Sequence, residues 1–311
     1  MNWKQKAFIQ NSISRLPHSL SNDFYYWVQR HFGTLKSPDF DTRLYGALTT
    51  CEYAKQFKDS LEGNVFFELG TGRMPIAPII FWLCGAKKTI TVDLNRYIKE
   101  ELILEFLEYF RKNKSKIKSD SKGLFVDERL EKLNNLCNQK RLSLEGILDF
   151  FCIEYNAPAD ACDLSFLNTN LDIYTSHYVL EHIPPDILLK IYQEGNKHMN
   201  EDGIFIARTD YSDHFSHADT SISSIHFLKF SDKEWARYAD NQYMYANRLR
   251  HDDLIELFTN AGHHILTEDL MVDTKVKSIL QNGEIALDKR FSKKDPEILE
   301  VIQSWVVSQK K

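Results

Sequence analysis

The chain has 311 residues, of which 43% are hydrophobic and 27% charged, and its formal net charge is −5. This composition is ordinary for a globular enzyme. The acidic balance argues against a dedicated nucleic-acid-binding protein, which normally carries a basic excess.

The cysteines and the apolar runs predict the compartment. Five cysteines without a CxxC pair are typical of buried free thiols in a reducing environment. The longest apolar run, "IAPIIFWLCGA", is too short to cross a bilayer, and the first residues lack the apolar core of a signal peptide. The sequence therefore predicts a cytoplasmic protein with no membrane partner.

Residues 1–60 have a helical pattern. "FYYWVQRHF" carries its apolar residues mostly on one side, and "RLYGALTTCEYAKQF" repeats that spacing before "LEGN" interrupts it. We expect an N-terminal helical cap over residues 1–60.

From residue 61 to the end, strand patterns alternate with helical patterns. Strands are predicted at "NVFFELG", "TITVDL", "FFCIEYNA", "LDIYTSH" and "GIFIARTD", with helices at "PIAPIIFWLCGA" and "DILLKIYQEGNKHM". A further helix at "HDDLIELFTNAG", the segment "HHILTEDLMV", a helix near 296–303 and "SWVVSQK" complete the chain. The alternation predicts an α/β domain over 61–311: a doubly wound, mostly parallel sheet of the Rossmann-like kind, with helices on both faces.

Two segments are longer than plain connections. Residues about 97–148 are predicted to be an inserted helical pair with a solvated Lys/Ser break near 112–122. Residues about 211–250 contain several aromatic side chains and, near the end, Arg248 and Arg250. They are interpreted either as a cover over an acceptor pocket or as simple packing over the sheet edge.

The stretch "FFELGTGRM" places two glycines directly after a predicted strand. Gly70 and Gly72 allow a sharp turn and a close approach by a ligand, and Pro75 suits the start of the next helix. Asp93 ends the next strand, 21 positions after Gly72 (93 − 72), a distance that suits a carboxylate binding a ribose diol. The pattern predicts a nucleoside site at the carboxyl ends of the strands.

The third glycine of a dinucleotide fingerprint is absent from this loop. Glu68 would also repel a diphosphate, whereas it would attract a cationic ligand. S-adenosylmethionine has a ribose, an ammonium and a sulfonium group, and it suits the loop better than a dinucleotide does.

With "FFELGTG", "TVDL", "APADACDLSF", "LDIYTSHYVLEHIP" and "GIFIARTD", the chain resembles the class I S-adenosylmethionine-dependent methyltransferases over residues 64–311. The resemblance implies a seven-stranded sheet whose last strand is antiparallel. It also implies that Glu68–Gly72 lies under the methionine part, that Asp93 binds the ribose, that Asp160 and Ala161 meet the adenine, and that Ser176 and His177 border the methionine. The predicted cofactor-binding residues are Glu68, Gly70, Thr71, Gly72, Asp93, Leu94, Asp160, Ala161, Ser176 and His177. Arg73 departs from the family pattern.

The loop "RTDYSDHFSHADTS" after the fifth strand concentrates histidines and carboxylates on the ligand side of the sheet. His214 or His217, with Asp213 nearby, is predicted to act as a general base, work typically worth ~10²–10⁴-fold. The alternative is a loop held by local hydrogen bonds. His182 in "LEHIP" is a further catalytic candidate, although the resemblance also allows a packing role.

No metal site is expected. His214, His217 and Asp213 are suitable ligand types. However, the resemblance implies that metal-dependent members carry an acid at the position of Ser176, and no cysteine pair supports zinc.

The favoured function is methyl transfer from S-adenosylmethionine to a hydroxyl or other heteroatom of a small molecule, such as a sugar or a biosynthetic intermediate. "TSHY" after the fourth strand lacks the signature of enzymes that methylate base amines, so no nucleic-acid partner is expected. A homodimer is left open. The alternatives are a nicotinamide-dependent oxidoreductase and a non-catalytic S-adenosylmethionine-binding partner protein.

Overall fold

The computed structural model describes residues 2–137 and 143–311. Three helices precede the first strand: α1 (Trp3–Ser14), α2 (His18–Phe32) and α3 (Phe40–Phe57). The side chain of Asn2 caps α1 by accepting a hydrogen bond from the Lys4 N–H, and Asp39 caps α3 in the same way. Helix α3 packs on the helix that follows the first strand, Ile76–Leu83. A cap over residues 1–60 as a separate unit stays a prediction.

The described part of the chain contains one seven-stranded sheet. Its strands are β1 (Val65–Leu69), β2 (Lys88–Val92), β3 (Ile153–Asn156), β4 (Leu171–His177), β5 (Met199–Asp210), β6 (His263–Val272) and β7 (Val301–Lys310). The order is β3-β2-β1-β4-β5-β7-β6, and β7 runs antiparallel to both of its neighbours. The predicted Rossmann-like fold with an antiparallel last strand is confirmed.

Helices cover both faces of this sheet. The α-helices after β1 in the described ranges are α4 (Ile76–Leu83), α5 (Glu100–Asp120), α6 (Asp127–Cys137), α7 (Leu144–Phe150), α8 (Pro185–His198), α9 (Asp232–Ala239), α10 (His251–Asn260), α11 (Thr274–Gln281) and α12 (Pro296–Glu300). The buried residues of α9 and α11 form a third core cluster with Trp3 of α1. All five residues of β1 are buried, as expected for a central parallel strand. Phe66 and Phe67, which point to opposite faces, belong to two separate core clusters.

The predicted break near 112–122 is confirmed only in part: helix α5 has a kink at Asn113, where the backbone angles are non-helical, but the helix continues beyond it to Asp120. Ile117 is fully buried and anchors this turn to the core. The basic side chains form ion pairs with acids of α3: Lys116 with Asp41, and Lys122 with Glu52 at 2.7 Å. Residues 138–142 of the predicted insertion lie outside the described residues.

Smaller differences concern element ends and side-chain exposure. The helix predicted near 296–303 ends at Glu300, because the next residues pair as β7. All five cysteines are free, as predicted, but Cys152 is exposed rather than buried. No helix within the described ranges is long and apolar enough to cross a membrane. The cytoplasmic location stays a prediction.

Candidate functional site

A cavity of about 750 Å³ opens at the carboxyl ends of the parallel strands. Its walls come from the loops after β1, β2 and β4, from the α2–α3 region, and from His217, Gln242 and Tyr243. It lies where the strand order reverses between β1 and β4, the switch point at which open α/β sheets bind ligands. Seven predicted site residues line it: Gly70, Thr71, Gly72, Asp93, His177, His182 and His217.

A second cavity of about 720 Å³ lies elsewhere, between Trp3 of α1 and the segments around His226 and Ile285. None of the residues predicted to bind cofactor or to act in catalysis lines it. The candidate functional site is therefore the cavity at the strand ends.

The glycine loop has the backbone conformation that its sequence demands. Gly70 and Gly72 have φ of +78° and +69°, in the left-handed region that other residues rarely adopt. A Cβ on Gly70 would lie 2.7 Å from the Val179 side chain, so this glycine permits close packing. A Cβ on Gly72 would meet nothing within 4 Å. Gly72 thus leaves open space at the cavity wall.

Glu68 lies beneath the loop rather than in the wall of the cavity. Its side chain is buried and accepts a hydrogen bond from the Thr71 hydroxyl. Burial raises the pKa of Glu68 to about 7, although the Thr71 hydrogen bond and the charge of Arg43 oppose the increase. The structure therefore gives Glu68 a role in holding the loop.

Asp93 joins the loop after β2 to the glycine loop. Its Oδ2 atom accepts the Gly72 N–H at 3.0 Å, and the residue is only 7% exposed while lining the cavity. Burial raises the pKa of Asp93 to about 8, and the charge of Glu68 adds to the increase. Hydroxyl groups donating to this carboxylate would stabilise its charged form.

The predicted adenine-side residues lie next to Asp93 but outside the cavity wall. The Ala159 N–H donates to the Asp93 carbonyl at 2.9 Å, which places this loop beside the end of β2. Asp160 is exposed, its Oδ1 accepts the Cys162 N–H at 2.9 Å, and Ala161 is buried. Leu94 is 69% exposed.

Ser176 and His177 end β4. Ser176 is 2% exposed, and its hydroxyl has no hydrogen-bond partner among the described residues. His177 lines the cavity and contacts Gly46 of α3, where a Cβ would lie 2.1 Å from the ring. Burial, with help from Arg208 and Arg43, lowers the pKa of His177 to about 3, so this ring is neutral.

Several cavity residues are missing from the predicted cofactor-binding and catalytic residues. They are Tyr25, Arg43, Arg73, Tyr97 and Tyr243. The Arg73 guanidinium lies 5.3–6.0 Å from the ring centroids of Tyr25, Tyr26 and Tyr97, and Tyr25 stacks on Tyr243 at 3.9 Å. The sequence signals were Arg73, as the departure from the family pattern, and Tyr243, as an aromatic residue of the predicted acceptor cover over 211–250.

Asp210 and Asp213, at the end of β5 and in the loop after it, contact different histidines. Asp210 lies 3.5 Å from His214 Nε2 and 3.7 Å from His217 Nε2. Asp213 is fully buried, and its Oδ2 lies 3.1 Å from His226 Nδ1. Asp213 therefore connects this loop to the segment around His226, and it does not line the cavity. Asp210 is the carboxylate beside the histidines.

The two predicted base candidates differ in their surroundings. His217 lines the cavity, and its Nε2 lies 2.9 Å from the Ser212 hydroxyl; burial lowers its pKa despite the nearby Asp210. Burial also acts to lower the pKa of His214, but the Asp210 carboxylate outweighs it, and the net pKa is raised.

His214 also lies beside the turn that follows β4. Ligand-type atoms of Glu181, His182 and His214 all lie within 4.8 Å of one another. This set differs from the metal-ligand set considered from the sequence, because Glu181 and His182 replace Asp213 and His217.

No family model and no curated protein sequence matches the chain. Solved structures that resemble it include an S-adenosylmethionine-dependent methyltransferase from Clostridium acetobutylicum ATCC 824, with 13% identity, 93% of this chain and 98% of that chain covered, and a TM-score of 0.44. Another is magnesium protoporphyrin IX methyltransferase from Synechocystis PCC 6803 with bound S-adenosylhomocysteine, with 12% identity, coverage of 98% and 99%, and a TM-score of 0.45. A third is a putative sarcosine dimethylglycine methyltransferase from Galdieria sulphuraria, with 14% identity, coverage of 85% and 86%, and a TM-score of 0.44. At these values the likeness concerns the general fold alone, so any ligand must be assigned from this chain's own residues.

Proposed function

We propose that the protein is an S-adenosylmethionine-dependent methyltransferase. The observation that carries the proposal is the wall formed by Gly72 and Asp93 at the switch point of the sheet. Gly72 leaves open space, and the Asp93 carboxylate beside it lines the same cavity. A ribose diol at this wall would donate two hydrogen bonds to Asp93 while its ring passes over Gly72.

The methionine part would extend from this wall toward His177 and Arg43. Arg43 lines the cavity and interacts electrostatically with Glu68, which lies beneath the glycine loop. A guanidinium is well suited to bind the α-carboxylate of the ligand. An ammonium or sulfonium group above the loop would stabilise the charged form of Glu68, whereas a diphosphate would destabilise it.

The adenine would lie on the outer side of Asp93, between Leu94 and the loop containing Asp160 and Ala161. The hydrogen bond from the Ala159 N–H to the Asp93 carbonyl holds that loop beside the carboxyl end of β2. Leu94 offers an exposed apolar surface for the base, and Asp160 can accept from an exocyclic amine.

The methyl acceptor is proposed to be a small hydroxylated molecule bound near His182, His217 and Tyr243. These residues line the same cavity as Gly72 and Asp93. Methyl transfer requires the nucleophile, the methyl carbon and the sulfur in line, and holding that geometry can supply about 7–11 kcal/mol. His217 is the proposed proton acceptor, because it lies in the wall and is oriented by Ser212.

The test combines calorimetry with a transfer assay. We expect the protein to bind S-adenosylmethionine and S-adenosylhomocysteine and not NAD. With methyl-labelled S-adenosylmethionine, we expect label transfer to at least one compound in a panel of sugars, phenols and hydroxy acids. Binding of NAD alone would favour the oxidoreductase, and binding of S-adenosylmethionine without transfer across the panel would favour a non-catalytic partner protein.

A further inference from the structure

We propose that Glu181, His182 and His214 form a binding site for one divalent first-row transition-metal ion, such as Zn²⁺, Mn²⁺ or Fe²⁺, at the edge of the cavity. The three side chains come from the turn after β4 and from the loop after β5. Both segments follow the carboxyl ends of neighbouring parallel strands. The proposal concerns metal binding and does not depend on the proposed methyl transfer.

Glu181 provides the first independent observation. This residue is only 4% exposed, yet neither carboxylate oxygen has a hydrogen-bond partner within the described ranges. Buried carboxylates are normally paired, hydrogen-bonded or bound to a metal. A cation held between Glu181 and the two histidines supplies the missing partner.

His182 provides the second observation. Its Nδ1 lies 2.7 Å from the Tyr245 carbonyl oxygen, which can only accept a hydrogen bond. The ring therefore carries its proton on Nδ1 and leaves a lone pair on Nε2. A backbone carbonyl that fixes the tautomer in this way is the usual support of a metal-binding histidine.

His214 has an equivalent support. Asp210 lies 3.5 Å from its Nε2, and a carboxylate at one ring nitrogen orients the ring and makes the other nitrogen a better ligand. The side chain of His214 is 19% exposed, and its ring centroid lies 5.0 Å from that of His182.

The distances and the ligand types agree with a metal site. Ligand atoms around zinc at about 2.0–2.2 Å lie about 3–3.5 Å apart, so a cluster within 4.8 Å needs to contract by only about 1–2 Å. Two imidazoles and one carboxylate suit zinc, manganese or ferrous iron better than magnesium or calcium, which prefer oxygen ligands. Three protein ligands leave coordination positions open, and His182 lines the cavity, so a ligand in the cavity can complete the coordination.

The experiment uses the full chain after dialysis against a chelator, with Co²⁺ as a spectroscopic probe and Zn²⁺ as competitor. We expect wild-type protein to bind one Co²⁺ with visible ligand-field absorption, and Zn²⁺ to displace it. Glu181→Gln, His182→Ala and His214→Ala should each weaken binding by at least about tenfold.

The matched control is His198→Ala. His198 Nε2 lies 3.2 Å from Glu194 Oε1, so this variant removes a histidine–carboxylate pair outside the cluster and should bind Co²⁺ normally. Glu181→Gln keeps the size of the side chain, and its folding is checked by circular dichroism. Absence of Co²⁺ and Zn²⁺ binding by wild-type protein, or equal affinity in folded ligand variants, would overturn the proposal. S-adenosylhomocysteine binding, measured on the same samples, tests the proposed function separately.

Discussion

The two sides of the cavity are assembled in different ways. In the cofactor wall (Gly70, Gly72 and Asp93), the Gly72 N–H reaches a carboxylate 21 positions away along the chain. The acceptor wall (His182, His217 and Tyr243) depends on contacts between the N-terminal helices and the segment before α10. One of them is the hydrogen bond from Asn241 to Asn11, which spans 230 positions.

This difference separates the roles that the two walls can have. The cofactor wall depends on backbone conformations that few residue types can adopt, so single substitutions should disturb ligand binding directly. The acceptor wall depends on packing between remote helices and on side-chain chemistry. Substitutions in the acceptor wall should therefore change turnover while cofactor affinity stays nearly constant.

The largest expected effect is the loss of cofactor binding in the cofactor-wall variant Gly72→Val. A branched side chain at φ of +69° is strained and fills the space through which the ligand approaches. We expect no measurable binding of S-adenosylhomocysteine by calorimetry. Gly283→Val is the control, because Gly283 also has positive φ (+65°) and open space but lies outside the cavity. Normal binding by a folded Gly72→Val variant would show that the loop is a simple turn that does not contact the ligand.

The next effect tests the acceptor wall. His217→Ala should lower turnover of a methylated panel compound by ~10²-fold, because the proposed proton acceptor is lost. Affinity for S-adenosylhomocysteine should stay within about threefold, less than 1 kcal/mol. Full turnover in His217→Ala and in the double variant with His214→Ala would exclude a histidine base. His198→Ala serves as the unaffected control.

A smaller effect is expected from Asp93→Ala. The variant loses the carboxylate that accepts the ribose hydroxyls, a net loss of at least about 1.5 kcal/mol, so the dissociation constant of S-adenosylhomocysteine should rise at least about tenfold. Asp163→Ala is the control, because Asp163 also accepts a backbone N–H, that of Ser165 at 3.0 Å, outside the cavity. An unchanged affinity of folded Asp93→Ala would place the ribose elsewhere.

The smallest effect concerns stability without ligand. The pKa of Asp93 is raised to about 8 from an ordinary value of about 3.9, so the folded state binds this proton more tightly than the unfolded state does. The contribution of Asp93 to stability therefore decreases as pH rises from about 4 to about 8.

Asp93→Asn retains an acceptor for the Gly72 N–H but removes this titration. It should melt at least about 2–4 °C above wild type at pH 8, because the raised pKa is worth at least about 1 kcal/mol, which produces that shift in a large domain. The difference should shrink toward pH 4. Thermal melts across this range check the prediction. A variant that tracks wild type at every pH would show that Asp93 titrates normally.

A substantial part of the fold could be predicted from the sequence. The limits of β4 were predicted to the residue, because its β-rich run is bounded by polar residues. The predicted break in α5 is a kink at Asn113 rather than an interruption over 112–122, because the Lys/Ser run looks solvated until Ile117 is seen to be buried. Helix α11 had no predicted counterpart, since eight residues carry little periodic signal.

The sequence by itself determined the alternation of strands and helices and the position of Gly70, Gly72 and Asp93 at strand ends. Both depend on patterns that are local along the chain. Only the tertiary structure decided that Asp213 turns away, that Arg43 reaches the cavity, and that Glu181 meets His182 and His214. The directions of these side chains are set by packing between segments far apart in sequence, which no local pattern encodes.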